Sequence, residues 1–85
     1  MTNYQAEVRV TPRAGLLDPE GKAIESALHT LEFPDAEHVR VGRLFHLRVT
    51  AGSAQEAEAR VDMMCKKLLA NPVTEDYEIA LKQVV

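Results

Sequence analysis

The side chains that could ligate a metal or move a proton near neutral pH are three histidines, and the sequence keeps them apart. His29 falls on the polar side of a predicted helix, whereas His38 and His46 fall on the same side of a predicted strand. Residues eight apart on a straight strand are about 26 Å apart, and the ligands of one metal ion must all contact it. We therefore expect ordinary surface histidines and no metal site.

The other potentially reactive groups also fit structural roles better. Cys65 is the single cysteine, so it forms no intramolecular disulfide, and it falls on the apolar stripe of a predicted helix. A buried lone thiol behaves as a small hydrophobic side chain, because reactivity requires an exposed, electropositive setting. Glu75 and Asp76 are adjacent, so in a strand they point to opposite faces and make a poor acid–base pair. We expect the isolated chain to be non-catalytic.

A concentration of basic residues is the remaining candidate for function: Arg40, Arg43, His46 and Arg48. Arginine is enriched in protein interfaces but is also common on surfaces. The pattern therefore fits a docking surface for an acidic partner or a phosphate as well as it fits a solvated sheet face. Nucleic acid is disfavoured, because the net charge is −3 and an RNA-binding sheet would carry stacking aromatics on its central strands.

The first half of the chain predicts a strand and then a helix. Residues 4–11 alternate apolar and polar positions, which indicates a half-buried strand. Asp18 suits an N-cap and Pro19 the first helical position of the helix that follows. Gly21 in its first turn indicates either a close approach to a neighbouring segment or a frayed start. The helix has one apolar stripe, formed by Ala23, Ile24, Ala27, Leu28 and Leu31.

A second strand region is predicted over residues 37–50, with its apolar side chains at odd positions. A two-residue hairpin at Gly42-Arg43 would move Val39 and Val41 to the face opposite Phe45. A three-residue turn at Gly42 would keep the phase but leave a very short first arm, so we predict one long strand, bent or bulged at Gly42. A strand of a dozen residues would span about 40 Å and overhang its neighbours, which would offer a second copy an edge to pair with.

The second half predicts a helix and a third strand. Ser53 and Glu56 form a capping box. Asn71, in a left-handed conformation, and Pro72 are expected to end the helix, and residues 77–82 alternate as a strand. The predicted buried stripe of the helix is Ala54, Ala57, Val61, Met64, Cys65 and Leu68.

Together these elements predict one domain over residues 1–85, of class α+β and order β-α-β-α-β. Two helices would pack on one face of a three-stranded sheet with a long bent second strand, in a ferredoxin-like arrangement. Because a chain this short buries only about 60–65% of its unfolded surface, we expect a homodimer or a dimer of dimers that associates through sheet edges. No apolar run approaches the ~20 residues of a membrane span, and the N-terminus is unlike a signal peptide, which predicts a soluble cytoplasmic protein.

Four stretches in chain order resemble the PurS family, the small subunits of bacterial and archaeal phosphoribosylformylglycinamidine synthase: AEVRVTPRAGLLDP, LDPEGKAIESALHTL, VRVGRLFHLRV and MCKKLLANPVTEDYEIAL. The similarity runs from about Ala6 to Leu81, and LLANPVTEDY is its most specific part. The chain departs from the family pattern in three places: Glu32 where glycine is common, Thr74 for a usual isoleucine and Arg43 for a usual lysine.

The resemblance implies a non-catalytic subunit in purine biosynthesis. It would bridge a glutaminase subunit, which makes ammonia from glutamine, and a larger ligase subunit, which carries the ATP chemistry. No cofactor is expected in this chain, and ATP and Mg²⁺ are expected in the ligase subunit. Local charge and the characteristic segment mark the candidate partner contacts, which are Arg40, Arg43, His46, Asn71, Glu75 and Asp76.

Two other functions stay open from the residues alone. One is an ACT-like regulatory module that binds a small molecule at its dimer interface. The other is an enzyme in its own right. Stabilisation of the isolated protein by a ligand would favour the first, and turnover by the isolated protein would favour the second.

Overall fold

The computed structural model describes residues 1–13, 15 and 18–84. This part of the chain contains three strands and two helices in the order β1 (Thr2–Pro12), α1 (Pro19–Thr30), β2 (Arg43–Ala51), α2 (Ala54–Met64) and β3 (Glu75–Val84). A π-helical turn, Cys65–Leu69, continues α2. The predicted α+β class and element order are confirmed.

The strands form one antiparallel sheet with the order β2-β1-β3. Val8 of β1 lies opposite Phe45 of β2 and Ile79 of β3. Because side chains alternate along each strand, this register places the apolar residues of all three strands on one face. The predicted buried face of β1 is confirmed, since its four apolar residues are at most 7% exposed: Tyr4, Ala6, Val8 and Val10.

Helix α2 packs on the apolar face and completes the core. Its buried side chains are Ala57 and Val61, and Cys65 in the π turn is also buried. The predicted cap is confirmed: Ser53 Oγ accepts from the Glu56 amide at 3.1 Å, while the Glu56 carboxylate accepts from the Gly52 amide at 3.0 Å. The predicted burial of Leu68 is wrong: its side chain is 83% exposed, because the π turn rotates it away from the stripe that the α-helical period predicts.

Helix α1 differs from the prediction in its packing. Its N-cap is Asp18 as predicted, but no side chain of α1 belongs to the hydrophobic core of the described residues. It lies instead beside residues 36–41, where the Asp18 carboxylate accepts from the Val41 amide at 3.0 Å and that of Glu25 from the Val39 amide at 3.2 Å. The apolar stripe of α1 is therefore not covered by the sheet, and Leu31 in it is 64% exposed.

Gly21 of α1 marks a close approach to this segment. A Cβ at Gly21 would lie 2.4 Å from the Val39 carbonyl oxygen, a distance that real Cβ atoms do not adopt. Of the two predicted explanations for this glycine, the close approach is therefore confirmed.

Strand β2 is shorter than predicted. It begins at Arg43 and pairs along its nine residues with β1, from Ala51 opposite Thr2 to Arg43 opposite Val10. The predicted long bent strand and its overhang are wrong, because His38 takes a positive φ of 58° and residues 38–42 lie outside the sheet. Gly42 is needed here because a Cβ at this position would lie 2.4 Å from the Val10 carbonyl oxygen.

Candidate partner-docking site

Four of the six predicted contact residues meet at one end of the sheet: Arg43, Asn71, Glu75 and Asp76. At this end β1 finishes, β2 and β3 begin, and the π turn after α2 stops. The segment of residues 71–76 connects the π turn to β3 and carries the most characteristic sequence of the chain. Two arginines fix the segment there: Arg13, which directly follows β1, and Arg43, which begins β2.

Arg13, directly after β1, binds the segment along most of its length. Its amide donates to the Thr74 carbonyl at 2.9 Å. Its guanidinium donates to the carbonyls of Pro72 and Val73, at 2.7 and 3.3 Å, and to the Asp76 carboxylate at 3.1 Å. A planar guanidinium offers several donors in a fixed geometry, so one side chain sets the path of several consecutive residues.

Arg43, at the start of β2, fixes the segment from the opposite side of β1. Its guanidinium lies 2.7 Å from the Glu75 carboxylate and donates to the Leu69 carbonyl at 3.1 Å. Glu75 also accepts from the Asn71 amide at 2.8 Å, and its side chain is only 19% exposed. The ion pair therefore joins the end of the π turn to the start of β3.

Asn71 shapes the turn itself. Its side-chain oxygen accepts from the Val73 amide at 2.9 Å, and its carbonyl accepts from the amides of Thr74 and Glu75. These bonds form an Asx turn followed by a tight reversal. The predicted left-handed conformation at Asn71 is wrong: among the described non-glycine residues, positive φ occurs only at Glu32 and His38.

The charged side chains of this site bind one another or the backbone of the chain, and two apolar side chains beside them are exposed. The two arginines and both carboxylates hold the segment, while Val73 is 73% exposed and Leu68, just before it, is 83% exposed. A loop whose backbone is fixed before binding loses little conformational entropy when a partner packs on it. The site is therefore suited to docking a protein rather than to transforming a substrate.

The other two predicted contact residues lie elsewhere. Arg40 lies in the segment beside α1, and His46 lies on the sheet face opposite α2, across from Glu7. Sequence reasoning missed Arg13, because its role depends on the pairing of Pro12 with Glu75. No local pattern around Arg13 encodes that long-range register.

A second polar contact joins α2 to β3 on the apolar side of the sheet. The Tyr77 hydroxyl donates to the Asp62 carboxylate at 2.5 Å, and Lys66 lies 3.0 Å from the same carboxylate. The hydrogen bond to Asp62, aided by desolvation, raises the pKa of Tyr77 to about 12. The same bond, together with Lys66, lowers the pKa of Asp62. Both shifts stabilise the existing protonation states, so this pair is a tether and not an acid–base couple.

Other features of the described residues add no chemistry. Burial raises the pKa of the Cys65 thiol, which keeps it protonated and unreactive. The described residues contain no cluster of three potential metal ligands. Among the described helices, none has the length and apolarity that a membrane crossing requires.

A cleft of about 440 Å³ lies between α1 and the segment that precedes β2. It is open and lined mainly by charged side chains, including Lys22, Glu25, Glu37 and Arg40. Small-molecule sites are usually enclosed and mostly apolar. This cleft therefore gives little support to a metabolite sensor.

Comparisons with known proteins agree on one family. Residues 5–83 match the family model described as PurS, phosphoribosylformylglycinamidine (FGAM) synthase. The chain is 37% identical over 82 residues to the phosphoribosylformylglycinamidine synthase subunit PurS of Bacillus subtilis, covering 96% of both chains. It is 36% identical over 81 residues to the PurS subunit of Methanocaldococcus jannaschii, covering 95% of this chain and 98% of the relative.

Solved structures give the same result. The crystal structure of M. jannaschii PurS, a subunit of formylglycinamide ribonucleotide amidotransferase in the purine biosynthetic pathway, matches with a TM-score of 0.84 and 35% identity, over 96% of this chain and 99% of that one. A chain in the structure of PurLQS from Thermotoga maritima matches with a TM-score of 0.85 and 31% identity, over 99% and 100% of the two chains.

Proposed function

The chain belongs to the PurS family of phosphoribosylformylglycinamidine synthase subunits, and we propose that it joins the glutaminase subunit of this synthase to the ATP-dependent ligase subunit. The observation that carries the proposal is the 71–76 segment. Its amide and carboxylate side chains at Asn71, Glu75 and Asp76 are engaged within the chain, while the apolar Val73 at its centre is 73% exposed. This is the composition of a docking element.

The contribution of such a subunit to catalysis is proximity. Ammonia released by the glutaminase would reach the ligase before it escapes or is protonated in bulk water. Holding two centres together raises the effective concentration of the transferred molecule without adding new chemistry. The chain needs no cofactor for this role, and ATP and Mg²⁺ would be held by the ligase subunit. The role places the protein in the cytoplasm with its partners.

We also propose that two copies associate. Helix α1 leaves its apolar stripe exposed, with Ile24 41%, Leu31 64% and the adjoining Phe33 54% exposed. On the sheet, Phe45 and Leu47 of β2 remain only partly buried beside α2. The stripe of one copy would cover the open apolar surface of the other reciprocally, as in a two-fold symmetric dimer. Pairing of the free edges of β2 and β3 would extend this to a dimer of dimers.

Assembly tests the docking role. The purified chain is mixed with the glutaminase and ligase subunits of the same organism, and the complex is sized by light scattering after gel filtration. We expect a ternary complex that needs this chain, and we expect Val73→Glu to weaken it. Met63→Glu is the matched control, because Met63 is 48% exposed on α2, away from the segment. Assembly of glutaminase with ligase without this chain would overturn the proposal.

A further inference from the structure

The sheet face opposite α2 is uncovered and polar in the described part of the chain. This polar face consists of the outward side chains of three successive cross-strand rows. The register gives these rows as Arg48–Gln5–Lys82, His46–Glu7–Ala80 and Leu44–Arg9–Glu78. The opposite side chains of the same strands form the core, so the polar face stays outward however the apolar side is covered.

The positive and negative charges are unevenly distributed along the polar face. Arg9 lies 3.7 Å from the Glu7 carboxylate and directly across from Glu78 in β3. Arg48 and Lys82 make no ion pair with any described residue, although the whole chain has a net charge of −3. One end of the face therefore carries one cation and two carboxylates, and the other carries two cations.

These two cations stand at a defined spacing. Both are in register with Gln5, one in β2 and the other in β3. Two interstrand steps of about 4.8 Å separate their backbones by roughly 10 Å. Gln5 lies between them and can donate or accept a hydrogen bond.

The polar face also has a depression next to the cation row. Ala80 is the smallest side chain on the face, and a hollow of about 250 Å³ lies beside it, lined by Gln5, Glu7, His46 and Lys82 among others. A smaller hollow of about 140 Å³ lies on the other side of Ala80, between Arg9 and Glu78. Shallow hollows of this kind accommodate the side chains of a partner surface.

We propose that the polar face binds an acidic helix of another subunit of the synthase, through two carboxylates about two turns apart that pair with Arg48 and Lys82. Seven residues of an α-helix span about 10.5 Å and return to nearly the same side of the helix, which matches the spacing of the two cations. On a strand, residues that share a side are about 7 or about 13 Å apart. A helix therefore matches the spacing of the two cations more closely than a strand does.

This inference rests on the proposed function, because it takes the partner from the same assembly. It adds a second contact surface, on the opposite side of the sheet from the core. The apolar stripe of α1 and the open part of the apolar face are left for the second copy. A subunit with two outward surfaces of different chemistry can hold two different partners at once.

Charge reversal tests the proposal. The double variant Arg48→Glu/Lys82→Glu is compared with Lys22→Glu/Lys67→Glu, which makes the same change in net charge at exposed positions off the polar face that form no ion pair with a described residue. The dissociation constant for each partner subunit is measured by calorimetry at low and moderate salt. We expect Arg48→Glu/Lys82→Glu to bind one partner at least about tenfold more weakly than the unaltered chain does. Its thermal stability and oligomeric mass should be unchanged. The control variant should bind as tightly as the unaltered chain.

A neutral variant and a cross-link locate the contact. Arg48→Gln/Lys82→Gln should reduce the salt dependence of binding to that partner, because salt screens exposed charge pairs. A carbodiimide joins an amine only to a carboxylate it touches, so Lys82 should be cross-linked to a glutamate or aspartate in a helix of that partner.

The outcomes separate this inference from the proposed function. If the unaltered chain binds neither partner, the proposed function fails. If it binds both and the Arg48/Lys82 variant binds equally well, or no more weakly than the control, the polar-face proposal is overturned while the docking role stands.

Discussion

The Tyr77 hydroxyl of β3 and the Asp62 carboxylate of α2 lie 2.5 Å apart and form a direct polar link between the helix and the edge strand β3. At the other edge strand, the Arg60 guanidinium of α2 donates to the Thr50 carbonyl of β2 at 3.0 Å, whereas the buried contacts between α2 and the sheet are apolar and fix little about the rotation of the helix. A directional hydrogen bond to a charged group supplies that orientation. The link therefore makes a specific prediction about pH.

Replacing Tyr77 by Phe should lower the stability of the protein at neutral pH. The pKa of Tyr77 is raised in the folded chain to about 12, above its ordinary value of about 10. The contribution of this bond is therefore fully present below pH ~10 and is lost as the pH rises through about 12. Urea midpoints of both proteins, measured across this range, should differ at pH 8 and converge at the alkaline end. A difference that stays constant would show that Tyr77 acts only through packing.

Replacing Glu32 by Gly should stabilise the protein. Glu32 has a φ of 74° after the end of α1, where its amide donates to His29 and the Phe33 amide donates to Leu28. This is a Schellman motif, whose left-handed position favours glycine, so the gain is expected to be up to about 1 kcal/mol. Glu32→Ala is the control, because alanine has the same conformational cost as glutamate. Thermal melts in which both variants gain equally would assign the effect to charge instead.

Replacing Gly42 by Ala should destabilise the junction between residues 38–42 and the sheet. The new Cβ would lie 2.4 Å from the backbone oxygen of Val10, which cannot move without disturbing β1. We expect a loss of about 1–3 kcal/mol in denaturant titrations. Gly52→Ala is the control, since its Cβ would meet only the end of the flexible Glu56 side chain, at 3.0 Å. Equal losses from the two variants would contradict a steric origin.

Replacing Arg13 by Lys should loosen the 71–76 segment without unfolding the core. An ammonium group cannot donate to Pro72, Val73 and Asp76 in the geometry that the guanidinium uses. Amide hydrogen exchange should accelerate at residues 71–76 and remain unchanged in β1. Binding to the partner that contacts this segment should weaken. Arg9→Lys, in β1, is the matched control, because Arg9 makes no contact with the 71–76 segment. Faster exchange throughout the sheet would show a general loss of stability instead.

The parts of the fold that local patterns encode were predicted from the sequence. Alternation located the buried face of β1, and the Ser53 cap located α2, because both signals depend on residues close in the chain. The packing of α1 differs from the prediction, since an apolar stripe shows that a helix has a covered side but not what covers it. The start of β2 was missed for a related reason: the odd-numbered valines before Gly42 fit a strand, but the chain takes a positive φ at His38 and residues 38–42 lie outside the sheet.

The candidate site was predicted in part for the same reasons. The segment from Asn71 to Asp76 was identified because its sequence is characteristic, and Arg43 because basic residues concentrate near it. The separation of His46 and Arg40 from that site, and the role of Arg13, depend on strand register across the sheet. Register is set by the whole core and is not visible in any short stretch.

The most direct test of the bridging role is reconstitution of synthesis with and without this chain. The glutaminase and ligase subunits of the same organism are assayed for formation of the amidine product, once with glutamine and once with a high concentration of ammonium salt. If the chain acts by proximity, omitting it should abolish or sharply reduce glutamine-dependent synthesis, while ammonium-dependent synthesis by the ligase survives. Equal loss of both activities would mean that the chain shapes the ligase site itself, and unchanged glutamine-dependent synthesis without the chain would contradict the bridging role.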